Sequence, residues 1–301
     1  MTGRRIVEQN GNNRRSIWMF ITSMLIFGSI GIVRRYMPLS SAFLAFARGT
    51  LGGLFILAFM KLKRGRAAER LPARTFIGLA VTGAIMGINW ILLFEAYNYT
   101  TVAVATLCYY MQPTIVMLLS PLIFKEKLTA KKAVCAAVAV IGIILVSGVT
   151  EGGDPQAGNL RGILLGLGAA VFYSGVVIRN KRISGVEAYT KTTIQLFAAG
   201  TVMIPYLILT GGSVGGDLSA ATVILLIVVG LVHTGIAYVL YFGSINGLKA
   251  QSAAILSYID PVAALLFSAV FLKEPLSLSG IIGAVLIIGS ALFSEIRTNA
   301  Q

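Results

Sequence analysis

Ten apolar runs occupy most of this chain, and each has about the length that a helix needs to cross a lipid bilayer. About 20 helical residues span the hydrocarbon core, where backbone groups must satisfy their hydrogen bonds within the protein. Charged residues make up 12% of the sequence, against about 25% in a soluble domain. The sequence therefore predicts an all-α integral membrane protein with ten transmembrane spans: Ile17–Val33, Ser41–Met60, Thr75–Tyr97, Thr101–Phe124, Ala133–Gly148, Gly162–Ile178, Ala188–Thr210, Ala220–Gly243, Ala250–Leu272 and Leu278–Phe293.

The second half of the chain repeats the first half. Positions 148 residues apart carry the same residue in Phe94 and Phe242, Asn98 and Asn246, Tyr110 and Tyr258, Pro113 and Pro261, Ser120 and Ser268, and Lys125 and Lys273. Each half has five spans, and an odd number of crossings inverts the second half relative to the first. We expect two inverted five-helix repeats at residues 17–149 and 158–295, a tail of residues 1–16 and a tail of residues 296–301. Inverted repeats are typical of carriers whose site lies near the midplane.

The basic residues give the orientation. If both termini are cytoplasmic, most of the 25 lysines and arginines lie on the inner side, and the outer side keeps only Arg34, Arg35, Arg161 and Lys273. This asymmetry predicts cytoplasmic termini and a place in the cytoplasmic membrane. The net charge of +14 then indicates contact with anionic lipids at the cytoplasmic face and requires no nucleic-acid partner. The sequence leaves open whether the protein is a monomer or a homodimer.

Each half has a proline in its fourth span followed by Glu-x-Leu, as Pro113 with Glu126-Lys127-Leu128 and as Pro261 with Glu274-Pro275-Leu276. Span two also contains the sequence Phe46-Ala47-Arg48-Gly49. With these motifs the chain, from about Ile17 to Phe293, resembles the EamA type of the drug/metabolite transporter superfamily. The resemblance implies a ten-helix carrier that often exports amino acids or other small metabolites.

Arg48 and Asp260 are the charges buried deepest in the spans. Arg48 lies about 12 Å inside span two at 1.5 Å per residue, where an arginine costs about 2.5–3.5 kcal/mol to insert. It either binds a substrate carboxylate or holds helices together, for example through Glu95. Asp260 precedes Pro261 near the middle of span nine, and its counterpart in the first half is Gln112. It either binds an ammonium group or a coupling proton, or is neutralised by a neighbouring helix, for example by Arg48.

Aromatic and proline residues cluster around these positions. Tyr110 and Tyr258 each lie three residues before a proline, so each covers the break that the proline introduces. We expect them to form a pocket wall or simply to pack, with Tyr109 on the same helix face as Gln112. Pro113 and Pro261 remove backbone hydrogen bonds at mid-membrane and are candidate hinges.

Further polar and aromatic residues are weaker candidates. Asn89 and Trp90 lie in span three and are candidate substrate contacts, although Asn89 could equally join two helices. Glu95, near the end of the same span, and His233, the only histidine, are candidate proton-coupling groups. The alternative is an interface role for Glu95 and a packing role for His233. Tyr97 is a candidate interfacial anchor.

The sequence argues against other classes. A catalytic cluster, a metal-binding motif and a phosphate-binding Gly-x-x-x-x-Gly-Lys motif are all missing, so we expect neither an enzyme nor a primary pump, and no cofactor. The leading hypothesis is a secondary transporter that exports amino acids or related metabolites by alternating access, with proton antiport as a possible coupling. The alternatives are an organic-cation transporter, for quaternary ammonium or choline-like compounds, and a uniporter or channel-like facilitator. We expect a central cavity lined by spans one, three, four, six, eight and nine, with spans five and ten at the periphery.

Overall fold

The structure, a computed structural model, describes residues 2–64, 71–125, 129–146, 157–209, 214, 216, 218–245, 247–248, 253 and 256–295. Within these ranges the chain is helical and contains no strand. Glu126 and Leu128 of the first Glu-x-Leu motif, and the tail of residues 296–301, lie outside them. In its described residues each predicted span is helical, and the helices are Thr2–Gly28 and Ile30–Arg35 (span one), Ser41–Arg64 (two), Ala73–Tyr99 (three), Val102–Tyr109 and Gln112–Phe124 (four), Ala130–Val146 (five), Ala157–Arg182 (six), Ala188–Thr201 and Met203–Leu209 (seven), Ala220–Gly230, Leu231–Ile236 and Ala237–Ile245 (eight), Ile259–Phe271 (nine) and Leu278–Glu295 (ten).

Length and composition fit a membrane environment. Among the described residues, seven helical segments are long and apolar enough to cross a bilayer, and the shorter helices Ile259–Phe271 and Leu278–Phe293 are also apolar. Large apolar side chains such as Leu62 and Leu209 are 87% and 85% exposed on the outside of the bundle, where lipid would cover them. The prediction of an all-α membrane protein built from two five-helix repeats is confirmed.

Two helix breaks follow the repeat. In span four the helix ends at Tyr109, and the next helix begins at Gln112 with Pro113 in its first turn. In span nine the helix Ile259–Phe271 begins directly after Tyr258 and has Pro261 in its first turn. A proline is compatible with the first turn of a helix because the amide that it lacks would have no intrahelical partner there.

Span eight contains a feature that the sequence did not predict. Residues Leu231–Ile236 form a π-helical segment between two α-helices. Such segments are rare and frequently lie at functional sites. This one includes both His233 and Thr234.

Glycines allow the two halves to approach closely. A Cβ atom on Gly83 of span three would lie 2.3 Å from the carbonyl oxygen of Gln195 in span seven. Spans five and ten pack against each other in the same way at Gly142, where a Cβ atom would lie 2.8 Å from the carbonyl oxygen of Gly283. Small residues permit this backbone contact between membrane helices.

The backbone also reproduces the repeat at the ends of spans four and nine. Lys125 and Lys273, which are 148 positions apart, have φ angles of 57° and 53°. They are the only non-glycine residues with positive φ in the described part of the chain. A left-handed residue ends a helix sharply, so both halves use the same turn before the glutamate of their motif.

Candidate functional site

A central cavity of about 440 Å³ lies between the two halves. Its described lining comes from eight spans, with none from spans five and ten. Spans two and seven therefore join the six spans that the sequence predicted. The predicted site residues that line it are Arg48, Trp90, Tyr109, Tyr110, Gln112, Pro113, Tyr258 and Asp260.

Arg48 is a buried cation on the cavity wall. Its side chain is 6% exposed, and its Nε atom donates a hydrogen bond to the Thr234 hydroxyl at 3.0 Å. Its guanidinium carbon lies 4.3 Å from the centroid of the Trp90 ring and 5.8 Å from that of Phe94, within range of a cation–π interaction. Among the described residues its two terminal Nη atoms make no hydrogen bond and no carboxylate pairs with it. The donors available for a ligand are therefore the Nη atoms.

The π-helical segment holds Arg48 in place. The Thr234 hydroxyl accepts from Arg48 and donates to the carbonyl oxygen of Val229, five residues earlier, at 3.0 Å. Thr234 itself is fully buried. Because its single proton is used on Val229, Thr234 is left to accept from Arg48 and fixes the orientation of the guanidinium group.

Asp260 lies across the interface between the halves. Its carboxylate accepts a hydrogen bond from the hydroxyl of Tyr110. Tyr110 contacts Tyr109 edge-on with ring centroids 5.7 Å apart, and Tyr109 contacts Tyr173 at 5.5 Å. The carboxylate therefore lies beside a wall of aromatic rings, and neither Arg48 nor another described cation forms an ion pair with it.

Four predicted site residues lie away from the cavity lining: Asn89, His233, Glu95 and the hinge candidate Pro261. Asn89 is fully buried, and its amide donates to the carbonyl oxygen of Ala169 in span six at 2.6 Å. His233 contacts the Ser29 hydroxyl at 3.0 Å and the Val228 carbonyl oxygen at 3.4 Å, and the structure does not bring it together with Asp260 in a hydrogen bond.

Glu95 belongs to a polar cluster at the end of the bundle. It accepts hydrogen bonds from Ser41 at 2.8 Å and from Asn98 at 3.1 Å. It is not a partner of Arg48, because Arg48 pairs with no carboxylate in the described residues.

Several cavity residues were missed by sequence reasoning. Tyr97 is only 2% exposed and lines the cavity, where its hydroxyl lies 3.3 Å from that of Thr106, so it is not an interfacial anchor. Gln195 and Asn180 also line the cavity, joined by a hydrogen bond of 2.6 Å. The signal was available for this pair, because polar side chains inside a span usually face a partner or a cavity. No group of three or more potential metal ligands occurs among the described residues.

Comparison with known proteins gives consistent results. A model of the EamA-like transporter family matches residues 14–148 and 160–295, which correspond to the two halves. The uncharacterized transporter YxxF of Bacillus subtilis (strain 168) is 29% identical over 93% of this chain and 89% of its own. Protein PecM of Dickeya dadantii (strain 3937) is 31% identical over 72% of this chain and 73% of its own. One solved crystal structure superposes with a TM-score of 0.63 at 20% identity, over 93% of this chain and 97% of its own, and supports the fold alone.

Proposed function

The chain belongs to the EamA-like transporter family and is a multi-pass membrane transporter, and on that premise we propose that it exports a small zwitterionic metabolite, an amino acid or a close relative, by alternating access. The observation that carries this proposal is the pair of opposite charges on the wall of one cavity. Arg48 and Asp260 both line it, and they do not neutralise each other.

Arg48 is suited to bind the carboxylate of such a substrate. A buried cation without a counter-ion is costly, and a ligand carboxylate relieves that cost when it pairs with the guanidinium group. The Nε atom is already engaged by Thr234, so the Nη atoms are the donors that meet the ligand. The ring face of Trp90 contacts the guanidinium group in a cation–π interaction.

Asp260 is suited to bind the ammonium group or to carry a coupling proton. Its carboxylate accepts a hydrogen bond from the hydroxyl of Tyr110, which orients it at the cavity wall. An ammonium group placed beside the carboxylate would also meet the rings of Tyr109 and Tyr110. A proton on Asp260 would compete with that ammonium group, which is a simple physical basis for proton antiport.

Pro113 and Pro261 remain the proposed hinges. Each lies in the first turn after a helix break, beside Tyr110 or Tyr258 on the cavity wall. Opposite bending at the two breaks would open the cavity to one side and close it to the other. We place the protein in the cytoplasmic membrane with both termini inside, as the distribution of basic residues predicts.

The transport of organic cations is the second candidate. It is favoured by the aromatic rings beside Asp260, namely Tyr109, Tyr110 and Tyr173, because such rings recognise quaternary ammonium groups. Arg48 argues against it, since an unpaired cation on the same cavity wall repels a cationic ligand.

Flux in proteoliposomes tests the proposal. The panel contrasts amino acids with their amides, which lack the carboxylate, and with tetramethylammonium, with and without a pH gradient. We expect saturable flux and counterflow for amino acids and strongly reduced flux for amides. Amino-acid flux and counterflow should be lost in Arg48→Gln and in Asp260→Asn but kept in Glu95→Gln. Flux of tetramethylammonium and amides that survives Arg48→Gln would favour the organic-cation alternative. Flux that neither saturates nor supports counterflow would indicate a channel.

A further inference from the structure

One end of the bundle is closed over the cavity. Thr106 lines the cavity in span four, and Val102 lies four residues, or about 6 Å, closer to that end. Val102 is fully buried, and Met37 and Tyr97, also near this end, are each 2% exposed. Buried side chains therefore lie between the cavity and this end. In the other direction the lining reaches Asn180 and Thr192, near the loop between spans six and seven.

The carboxylate of Glu274 contacts both halves at the closed end. Glu274 belongs to the second Glu-x-Leu motif and follows the left-handed residue Lys273. Its two oxygens accept hydrogen bonds from the backbone amide of Val102 at 2.9 and 3.2 Å. It also forms an ion pair with Arg35 at 3.2 Å, and it accepts from the hydroxyl of Ser268 in its own half.

The contact with Val102 is a helix cap supplied by the other half of the protein. Val102 is the first residue of the helix Val102–Tyr109, where the amides have no intrahelical acceptor and the helix dipole favours a negative charge. Arg35 extends the connection because the same Nη2 atom also approaches the carbonyl oxygen of Thr100 at 3.4 Å. Glu274 thus connects spans one, four and nine.

We propose that Glu274, together with Arg35 and the amide of Val102, is a latch that holds this end shut, and that its release is required for the cavity to open there. The inference rests on the proposed alternating-access function. Spans four and nine are the two spans that break beside Pro113 and Pro261, and the latch ties the end of one to the end of the other. The two halves therefore cannot part at this end while the carboxylate keeps its partners.

Accessibility of a cavity cysteine tests the latch without knowledge of the substrate. The reporter is Thr106→Cys in a background with Cys108→Ala and Cys135→Ala, labelled with a membrane-impermeant methanethiosulfonate. Labelling is carried out from each face in intact cells and in inverted vesicles, and a separate Lys273→Cys variant, at an exposed position, identifies the face on which the latch lies. The matched control for Glu274→Ala is Glu95→Ala, because Glu95 is a carboxylate near the same end, and its hydrogen-bond partners among the described residues, Ser41 and Asn98, belong to the first half.

We expect Glu274→Ala to raise the labelling rate of the reporter from the latch face about fivefold or more, within the range of about 2- to 30-fold that loss of a helix cap gives in a two-state equilibrium. Glu95→Ala should leave the rate within about twofold of the parent. If Glu274→Ala is not obtained as a monodisperse protein, Glu274→Gln and Arg35→Gln carry the test, with a smaller rise expected in each.

An unchanged rate in the folded Glu274 variants, or an equal rise in Glu95→Ala, would overturn the latch. The labelling result does not depend on flux. A protein that labels as expected but transports none of the tested compounds would contradict the proposed substrate class and leave the latch standing. Flux of amino acids combined with an unchanged labelling rate in the Glu274 variants would support the proposed substrate class and overturn the latch.

Discussion

Replacement of Arg48 by glutamine separates its two possible roles. If Arg48 binds the carboxylate of the substrate, Arg48→Gln removes hydrogen bonds to a charged group, each worth about 1.5–3 kcal/mol. Loss of one such bond weakens binding by about 10- to 150-fold. Arg48→Lys keeps the charge but loses the planar fork, so we expect a smaller loss of about tenfold.

The same change should have little effect on the stability of the protein without substrate. Burial of a cation without a counter-ion costs several kcal/mol. The hydrogen bond to Thr234 stabilises the folded protein by about 1.5–3 kcal/mol. The cation–π contact with Trp90 contributes about 0.5–2 kcal/mol. These contributions nearly cancel, and we expect Arg48→Gln to melt within about 3 °C of the wild type. A purely structural arginine would instead give a clear loss of stability.

Arg179 is a matched control. Its Nε atom donates to the Thr82 hydroxyl at 3.1 Å, as Arg48 does to Thr234, but its Nη2 atom donates to the Gly78 carbonyl oxygen at 3.2 Å. It does not line the cavity. Arg179→Gln should therefore lower the melting temperature and leave the affinity for substrate unchanged.

The assay combines thermal unfolding of the detergent-purified protein with a titration of the best transported amino acid and of its amide. Arg48→Gln should abolish the difference in affinity between the amino acid and the amide, because that difference reports on the carboxylate. Retention of the difference, or an equal loss in Arg179→Gln, would refute the assignment of Arg48 as the carboxylate ligand. A fall in melting temperature without a change in affinity would make Arg48 a structural residue.

Three further predictions concern the cavity and the bundle. Thr234→Val removes the acceptor that orients Arg48, and we expect a weakening of amino-acid affinity of about tenfold in a binding titration, rescued by Thr234→Ser. Asp260→Asn cannot exchange a proton, so a pH gradient should no longer drive flux through this variant in the proteoliposome assay. Gly83→Val places side-chain atoms against the carbonyl of Gln195, where even a Cβ atom would lie at 2.3 Å; it should lower the melting temperature more than Gly289→Val, a glycine with open space around it.

Much of the architecture could be predicted because a membrane makes sequence patterns simple to interpret. Apolar runs of about 20 residues commonly form helices in lipid, and all ten predicted spans are helical where the structure describes them. The repeat predicted equivalent breaks, and Tyr110 and Tyr258 both lie at the point where a helix is interrupted. The cost of burying charge directed attention to Arg48 and Asp260, and both lie on the cavity wall.

The rotation of each helix about its axis could not be predicted in this way. Asn89 and Trp90 are consecutive, so about 100° of helix rotation separates them. Trp90 faces the cavity, whereas Asn89 joins span three to Ala169. Hydropathy does not distinguish a side chain that faces the cavity from one that faces another helix, because a neighbouring helix can supply the hydrogen bonds of a polar group equally well. The π-helical segment was missed for a similar reason, since its effect on Thr234 and Arg48 depends on the backbone and not on composition.

The cavity is asymmetric inside a symmetric frame. The segment Phe46-Ala47-Arg48-Gly49-Thr50 of span two corresponds to Phe197-Ala198-Ala199-Gly200-Thr201 of span seven. The two glycines meet, since a Cβ atom on Gly49 would lie 2.7 Å from the amide nitrogen of Gly200. At this contact between the halves the glycines match, but the position of Arg48 is occupied by Ala199 in the segment of the second half.

The negative charge is asymmetric in the opposite sense, because Asp260 of the second half corresponds to Gln112 of the first. Each half therefore supplies one charge, and no exchange of the two halves' conformations can interchange the cation and the carboxylate. A zwitterion bound between them keeps the same partners, and so the same orientation relative to the halves, whichever end of the bundle is closed. What alternates is then the closure at the ends, including the contact of Glu274 with Val102, while the recognition of the substrate stays constant.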